Sequence, residues 1–206
     1  MYIFAPEIYQ SYIRAFRANN SGTPTGFTEV AAEDRPNAGS TIWSVDTAID
    51  AQDVVHLLYI VDSGPIVYQT FDTKTDIWGA AEQIISSAWP DRNNGLRQGS
   101  GGVSMALDSQ GVPHVVYGKA SGNLRRVYYN NRSNGKWNNE QLVDDQSDKD
   151  NSHAVMAFAP DGTMYVVWLV EGSEQGKGSV RVRARRDGAW EPANEAGGER
   201  LYRLDL

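Results

Sequence analysis

One pattern recurs along the chain and restricts its fold more than any other feature. Ala48-Ile49-Asp50 followed by His56-Leu57-Leu58-Tyr59 returns as Ala106-Leu107-Asp108 with His114-Val115-Val116-Tyr117, and again as Ala157-Phe158-Ala159 with Tyr165-Val166-Val167-Trp168, at offsets of 58 and 51 residues. A period of about 50 residues with strand-like content is the signature of a propeller or a solenoid. A second series runs through the aromatics Phe27, Trp78, Trp137 and Trp190, spaced by 51, 59 and 53 residues, each after a turn rich in Asn, Asp, Gly or Thr. Four aromatics mark four units.

Within one unit the pattern predicts strand A at residues 104–107, a turn at 108–111, strand B at 114–117, strand C at 124–129 and strand D after Trp137. Short runs rich in Val, Ile and Tyr between turn residues read as strands. Strand B is apolar on both faces, which suits a sheet enclosed between neighbouring sheets. Radially stacked blades supply that enclosure. With no sustained helical period, the predicted fold is an all-β propeller. It forms a single domain, 1–206, with repeats at about 1–34, 43–91, 102–148 and 152–198 and a closing strand at 199–206.

The ends support that arrangement. Met1-Tyr2-Ile3-Phe4 aligns with Met164-Tyr165-Val166-Val167, so the chain begins at a strand B with no strand A before it. Leu201-Tyr202-Arg203-Leu204-Asp205-Leu206 alternates apolar and polar and supplies the missing strand. Pairing first and last strands removes exposed edges. Closure within one chain gives a monomer, and exchange of the last strand between two chains gives a strand-exchanged homodimer.

Composition narrows the function classes. Lys and Arg number 19 against 26 Asp and Glu, a net charge of -7, which argues against nucleic acid and against an anionic membrane surface. The absence of cysteine excludes disulfides, thiolate catalysis and cysteine-held metals. The first residues lack the basic and apolar regions of a signal peptide, which leaves the compartment open. No motif calls for a cofactor.

The run Leu107-Asp108-Ser109-Gln110-Gly111-Val112-Pro113-His114-Val115-Val116-Tyr117, with Asn134-Gly135-Lys136-Trp137 after it, resembles the sialidase-like propellers with bacterial neuraminidase repeats. It is also similar to bacterial propeller lectins. The resemblance covers nearly the whole chain as a repeat pattern and implies a fold rather than an activity. Sialidases of this kind carry an Asp box, Ser-x-Asp-x-Gly-x-Thr-Trp, and the turns before Trp78, Trp137 and Trp190 depart from it. The family's arginine triad, Tyr–Glu pair and Asp acid/base transfer to no local motif here.

An acid–base dipeptide recurs in the loops between strand D and the next strand A: Asp34-Arg35, Asp91-Arg92, Asp148-Lys149 and Glu199-Arg200. These residues serve either as struts between repeats or as hydrogen-bonding groups for a ligand on the loop face. Trp43 and Trp89 break the aromatic series and are candidates for a sugar-stacking surface. Arg14, Arg125 and Arg181 share one strand C column, and so read as inter-blade or solvated rather than convergent. His56 and His114 share a slot with Tyr165, which favours packed, hydrogen-bonded roles. The acidic loop 144–151 reads as solvated, with calcium as the rival reading.

Catalysis on a glycoside needs two carboxyl groups with distinct roles, and an active site breaks repeat symmetry, whereas binding tolerates it. The expectation is therefore a noncatalytic recognition module for a glycan, using Asp34, Arg35, Trp43, Trp89, Asp91, Arg92, Asp148 and Lys149. The alternatives are a sialidase-like glycoside hydrolase, or a fragment of one, and a protein-interaction scaffold.

Overall fold

The computed structural model describes residues 1–6, 11–20, 22–32, 35–37, 39, 41–61, 64–86, 103–145, 148–171 and 178–198. Among the described residues every regular element is a strand. The chain divides into two compact units, Met1–Ser86 and Ser87–Leu206.

The first unit holds two antiparallel sheets. Strands β1 (Tyr2–Pro6), β2 (Ile13–Ala18) and β3 (Phe27–Val30) form the first, in that order. Strands β4 (Ile42–Ile49), β5 (Val54–Val61), β6 (Ile66–Asp72), β7 (Ile77–Trp78) and β8 (Glu82–Ile85) form the second, with β7 and β8 both paired to β6. Among the described residues β1 pairs only with β2. The segment expected to complete the first sheet, residues 201–206, lies outside the described residues.

The second unit repeats the plan twice. One sheet comprises β9 (Val103–Leu107), β10 (Pro113–Ser121), β11 (Leu124–Ser133), β12 (Lys136–Trp137) and β13 (Gln141–Leu142). The other comprises β14 (Asn151–Phe158), β15 (Met164–Glu171), β16 (Gly178–Arg186), β17 (Ala189–Trp190) and β18 (Asn194–Gly198). Strand D is thus two short pieces in three sheets: each aromatic ends the first piece, and the second piece pairs with the same strand C farther along.

Burial follows the apolar pattern. Seven of the eight residues of β5 are buried, as expected of a strand covered on both faces. In the first unit Phe4, Phe71 and Trp78 pack edge to face, with Phe71 and Trp78 centroids 4.7 Å apart. In the second unit β14 lies across β9, β10 and β11. Val116, Val127 and Tyr129 there meet Met156, Met164, Val166 and Trp168.

The shared histidine slot is a repeated polar pin. His114 Nδ1 lies 2.7 Å from the Tyr129 hydroxyl and Nε2 lies 3.3 Å from Asp108 Oδ2. His56 meets Tyr68 and Asp50 at 2.7 and 3.2 Å in the same way. Each aspartate also closes its hairpin: Asp108 Oδ1 accepts the amides of Gln110 and Val112, and Asp50 Oδ1 those of Gln52 and Val54. One side chain thereby fixes a turn and orients a ring.

Burial, partly offset by Asp108, holds the His114 imidazole below its ordinary 6.5. The unfolded chain takes up this proton first, so the contribution is complete above about pH 6.5 and shrinks as pH falls from there toward the folded value. We expect the melting temperature of the second unit to decline over that window and His114→Gln to flatten the slope. An unchanged slope in the variant would exclude this origin.

Candidate functional site

At the end of the second unit where β10 turns into β11 and β15 into β16, charged side chains converge. Arg125, the second residue of β11, is 5% exposed. Its amide donates to Asp150 Oδ1 at 2.6 Å and its Nη2 donates to Asp150 Oδ2 at 3.4 Å. The same Nη2 donates to Glu171 Oε1. Asp150 precedes β14 and Glu171 ends β15, and the Glu171 amide donates to the Asp150 carbonyl at 2.8 Å. The arginine therefore ties the strand C of one sheet to two strands of the next.

Ser152 Oγ lies 3.5 Å from Glu171 Oε1 and 2.8 Å from His153 Nδ1. The pairing of β14 with β15 shifts register between Ser152 and Val155, and His153 stands in this irregularity with φ of 51°. A left-handed backbone at a non-glycine residue costs about 1 kcal/mol or more, and such strain at a bulge re-aims side chains near functional sites.

The acidic loop is a correction to the solvated reading. Asp144 is 3% exposed, accepts from Arg126 Nε at 2.6 Å and from the Val127 amide at 2.7 Å. Asp145 pairs with Arg181 at 2.5 Å, and Asp150 with Arg125. Three of its carboxylates thus neutralise arginines of β11 and β16, because burying a guanidinium requires a partner.

Of the residues singled out in the sequence, Asp148 and Lys149 are exposed and directly precede Asp150. The Lys149 carbonyl accepts from Asn151 Nδ2 at 2.9 Å. Arg35 belongs to the first unit, donates to Glu29 at 3.1 Å and stacks 3.9 Å over the Tyr12 ring. Trp43 lies in β4, but its side chain is outside the described residues, as are Asp34, Trp89, Asp91 and Arg92. Arg125 and Arg181 each reach a carboxylate of the neighbouring sheet, but they do not share a column: Tyr128, opposite Tyr117, is the counterpart of Arg181, opposite Trp168. Ser152 and Glu171 were missed, and His153, which stands outside the repeated histidine slot in the sequence, was set aside for want of a nucleophile motif beside it.

Chemically, this end of the unit offers hydrogen-bond donors and acceptors in alternation. Asp150 and Glu171 both bond Nη2 of one guanidinium, so the arginine fills the space between them that a scissile bond would need. Burial raises the Asp144 carboxyl above the ordinary carboxylate value, as a general acid requires, yet its side chain is fully enclosed against Arg126.

No family model and no curated protein sequence matches the chain. Solved structures do. An alpha-L-arabinanase of Penicillium chrysogenum, complexed with arabinobiose, superposes with a TM-score of 0.63 at 14% identity, covering 90% of this chain and 59% of that one. A PL25 ulvan lyase superposes at 0.59 with 13% identity, over 96% of this chain and 53% of that one. The NanB sialidase from Streptococcus pneumoniae gives 0.54 at 13% identity, over 84% and 26%. The chain thus spans between half and three fifths of the first two structures. At these identities the likeness establishes the fold, a β-propeller type built from four antiparallel sheets among the described residues.

Proposed function

We propose that the chain is a noncatalytic glycan-recognition module whose loop end carries the ligand. The observation that carries this reading is the Arg125, Asp150 and Glu171 assembly, flanked by Ser152 and the strained His153, with Asp148 and Lys149 exposed beside it. Sugar hydroxyls both donate and accept, so alternating carboxylates, hydroxyl and cation on a rigid support suit them. Neighbours that include an arabinanase complexed with arabinobiose and an ulvan lyase support a carbohydrate over a protein ligand. Asp34, Arg35, Trp43, Trp89, Asp91 and Arg92 are further ligand candidates to be tested by substitution.

The second reading is a polysaccharide-cleaving enzyme or a part of one, favoured by the neighbours being enzymes. A glycan array run beside fluorogenic sialoside and arabinoside assays separates the two. We expect saturable binding without turnover. Asp148→Ala with Lys149→Ala should weaken binding at least tenfold, about the value of one charge-assisted hydrogen bond. Ser152→Ala should act similarly and also lower the melting temperature, because the buried hydroxyl bonds Glu171 and His153. Turnover abolished by Glu171→Gln would replace this reading with the enzymatic one. Silence in every assay would move the function to a protein partner.

A further inference from the structure

At the opposite end of the second unit, between its two A–B hairpins, lies a cavity of about 580 Å³. That volume falls within the roughly 300–1,000 Å³ of small-molecule sites. Its lining includes Phe158 and His114, whose rings meet edge to face at 4.9 Å, with Met164 beneath them. Arg185, Asp161 and Asp187 supply charge at the rim.

The three arginines of β16 that face the neighbouring sheet differ in their bonding. Arg181 reaches Asp145, and Arg183 donates to the carbonyls of Val143 and Glu191 at 2.7 and 2.6 Å. Arg185 makes no ion pair or hydrogen bond among the described residues. Its guanidinium is held against the rings of Tyr129 and Trp190, at 5.0 and 5.9 Å, and its buried Nε has no acceptor. Asp187, exposed and with φ of 48°, likewise has no bonded partner among the described residues. The other carboxylates are engaged. Asp108 serves its hairpin and His114, and Asp161 accepts from the Thr163 amide at 2.9 Å and faces Arg186 at 3.5 Å.

We propose that this cavity is a second ligand site, for a neutral polyhydroxylated ring of monosaccharide size, bound independently of the loop end. The Arg185 guanidinium and the Asp187 carboxylate both line this space with no ion pair among the described residues, so an anion would meet Asp187 and a cation would meet Arg185. A diol satisfies both, because each hydroxyl donates and accepts. The partly exposed Phe158 ring offers an apolar surface for the C–H face of such a ring. His114 is held neutral by burial and so adds no charge at neutral pH. The stacked guanidinium is positioned before any ligand arrives, which lowers the ordering cost of binding.

The test is an NMR titration of the full chain with glucose, galactose and arabinose separately, and with glucuronate and putrescine as charged probes. Expected are saturable shifts of the Arg185 Nε–H and of the Gly162 and Gly188 amides with a neutral sugar, at millimolar affinity. Asp187→Asn keeps the left-handed turn and should weaken that affinity about tenfold. Phe158→Leu should do the same. The Asp148→Ala, Lys149→Ala variant should leave these shifts unchanged, which separates this site from the loop end. Binding of glucuronate or putrescine in preference to neutral sugars would overturn the proposal. So would the absence of saturation, or loss of the shifts in the loop-end variant.

Discussion

Replacing Asp144 with alanine is expected to cost the second unit about 3–5 kcal/mol, the usual result of removing one partner of a buried ion pair. The Arg126 side chain is 13% exposed and the Asp144 side chain 0%, so the guanidinium left behind has little access to water. The Val127 amide loses its acceptor as well. Asp144→Asn should be milder, since it keeps one oxygen for that amide.

The pH dependence of that comparison carries the sharper test. Burial sets the folded carboxyl above its ordinary 3.8, against the pull of Arg126 and the Val127 amide. For an acid with a raised folded value, ionisation opposes folding at higher pH, and the cost is relieved as pH falls through the folded value. The penalty of Asp144→Asn should therefore grow as pH falls from 7 toward the ordinary carboxylate value of 3.8, measured by urea denaturation. A penalty that shrinks on acidification would mean that the carboxyl titrates below its ordinary value.

Trp168→Ala is expected to cost a comparable amount, about 3–5 kcal/mol from loss of a large buried side chain. Trp168 is 0% exposed at the centre of the contact between the two sheets. Its indole also donates to Asn151 Oδ1 at 3.0 Å, and Asn151 is itself fully buried at the start of β14. Against a total stability of roughly 5–15 kcal/mol, such a loss leaves the unit marginal. Trp168→Phe separates the two parts, keeping most of the packing and removing the donor, for about 1–3 kcal/mol. A guanidinium midpoint unchanged in the alanine variant would show that the two sheets do not depend on this residue.

What the sequence reveals depends on how locally each feature is determined. Strand B was legible in His114-Val115-Val116-Tyr117 because a strand covered on both faces needs a continuous apolar run. The hairpin at Asp108 was legible because one residue type does the work of closing it. The division of strand D into β12 and β13 was not, since Asn138, Asn139 and Glu140 carry no breaker signal beyond general polarity. Arg125 lies 25 residues from Asp150 and 46 from Glu171, so their meeting depends on sheet packing that no local pattern encodes. The acidic loop was misread for a related reason. Its arginine partners stand on other strands, and a run of like charge appears solvated until those strands are beside it. His153 takes its left-handed backbone with no glycine to announce it.

The outer hairpins of the second unit separate shape from chemistry. Asn134-Gly135 and Asp187-Gly188 occupy equivalent turns, with φ of 51° and 74° in one and 48° and 81° in the other. Asparagine and aspartate both tolerate this conformation, so the backbone is indifferent to which of them is present. A single exchange at such a position changes the charge presented to solvent with little conformational penalty. These turns are therefore places where a repeat can diverge in specificity while its neighbours keep a common scaffold, and where an engineered graft between sheets would be tolerated most readily.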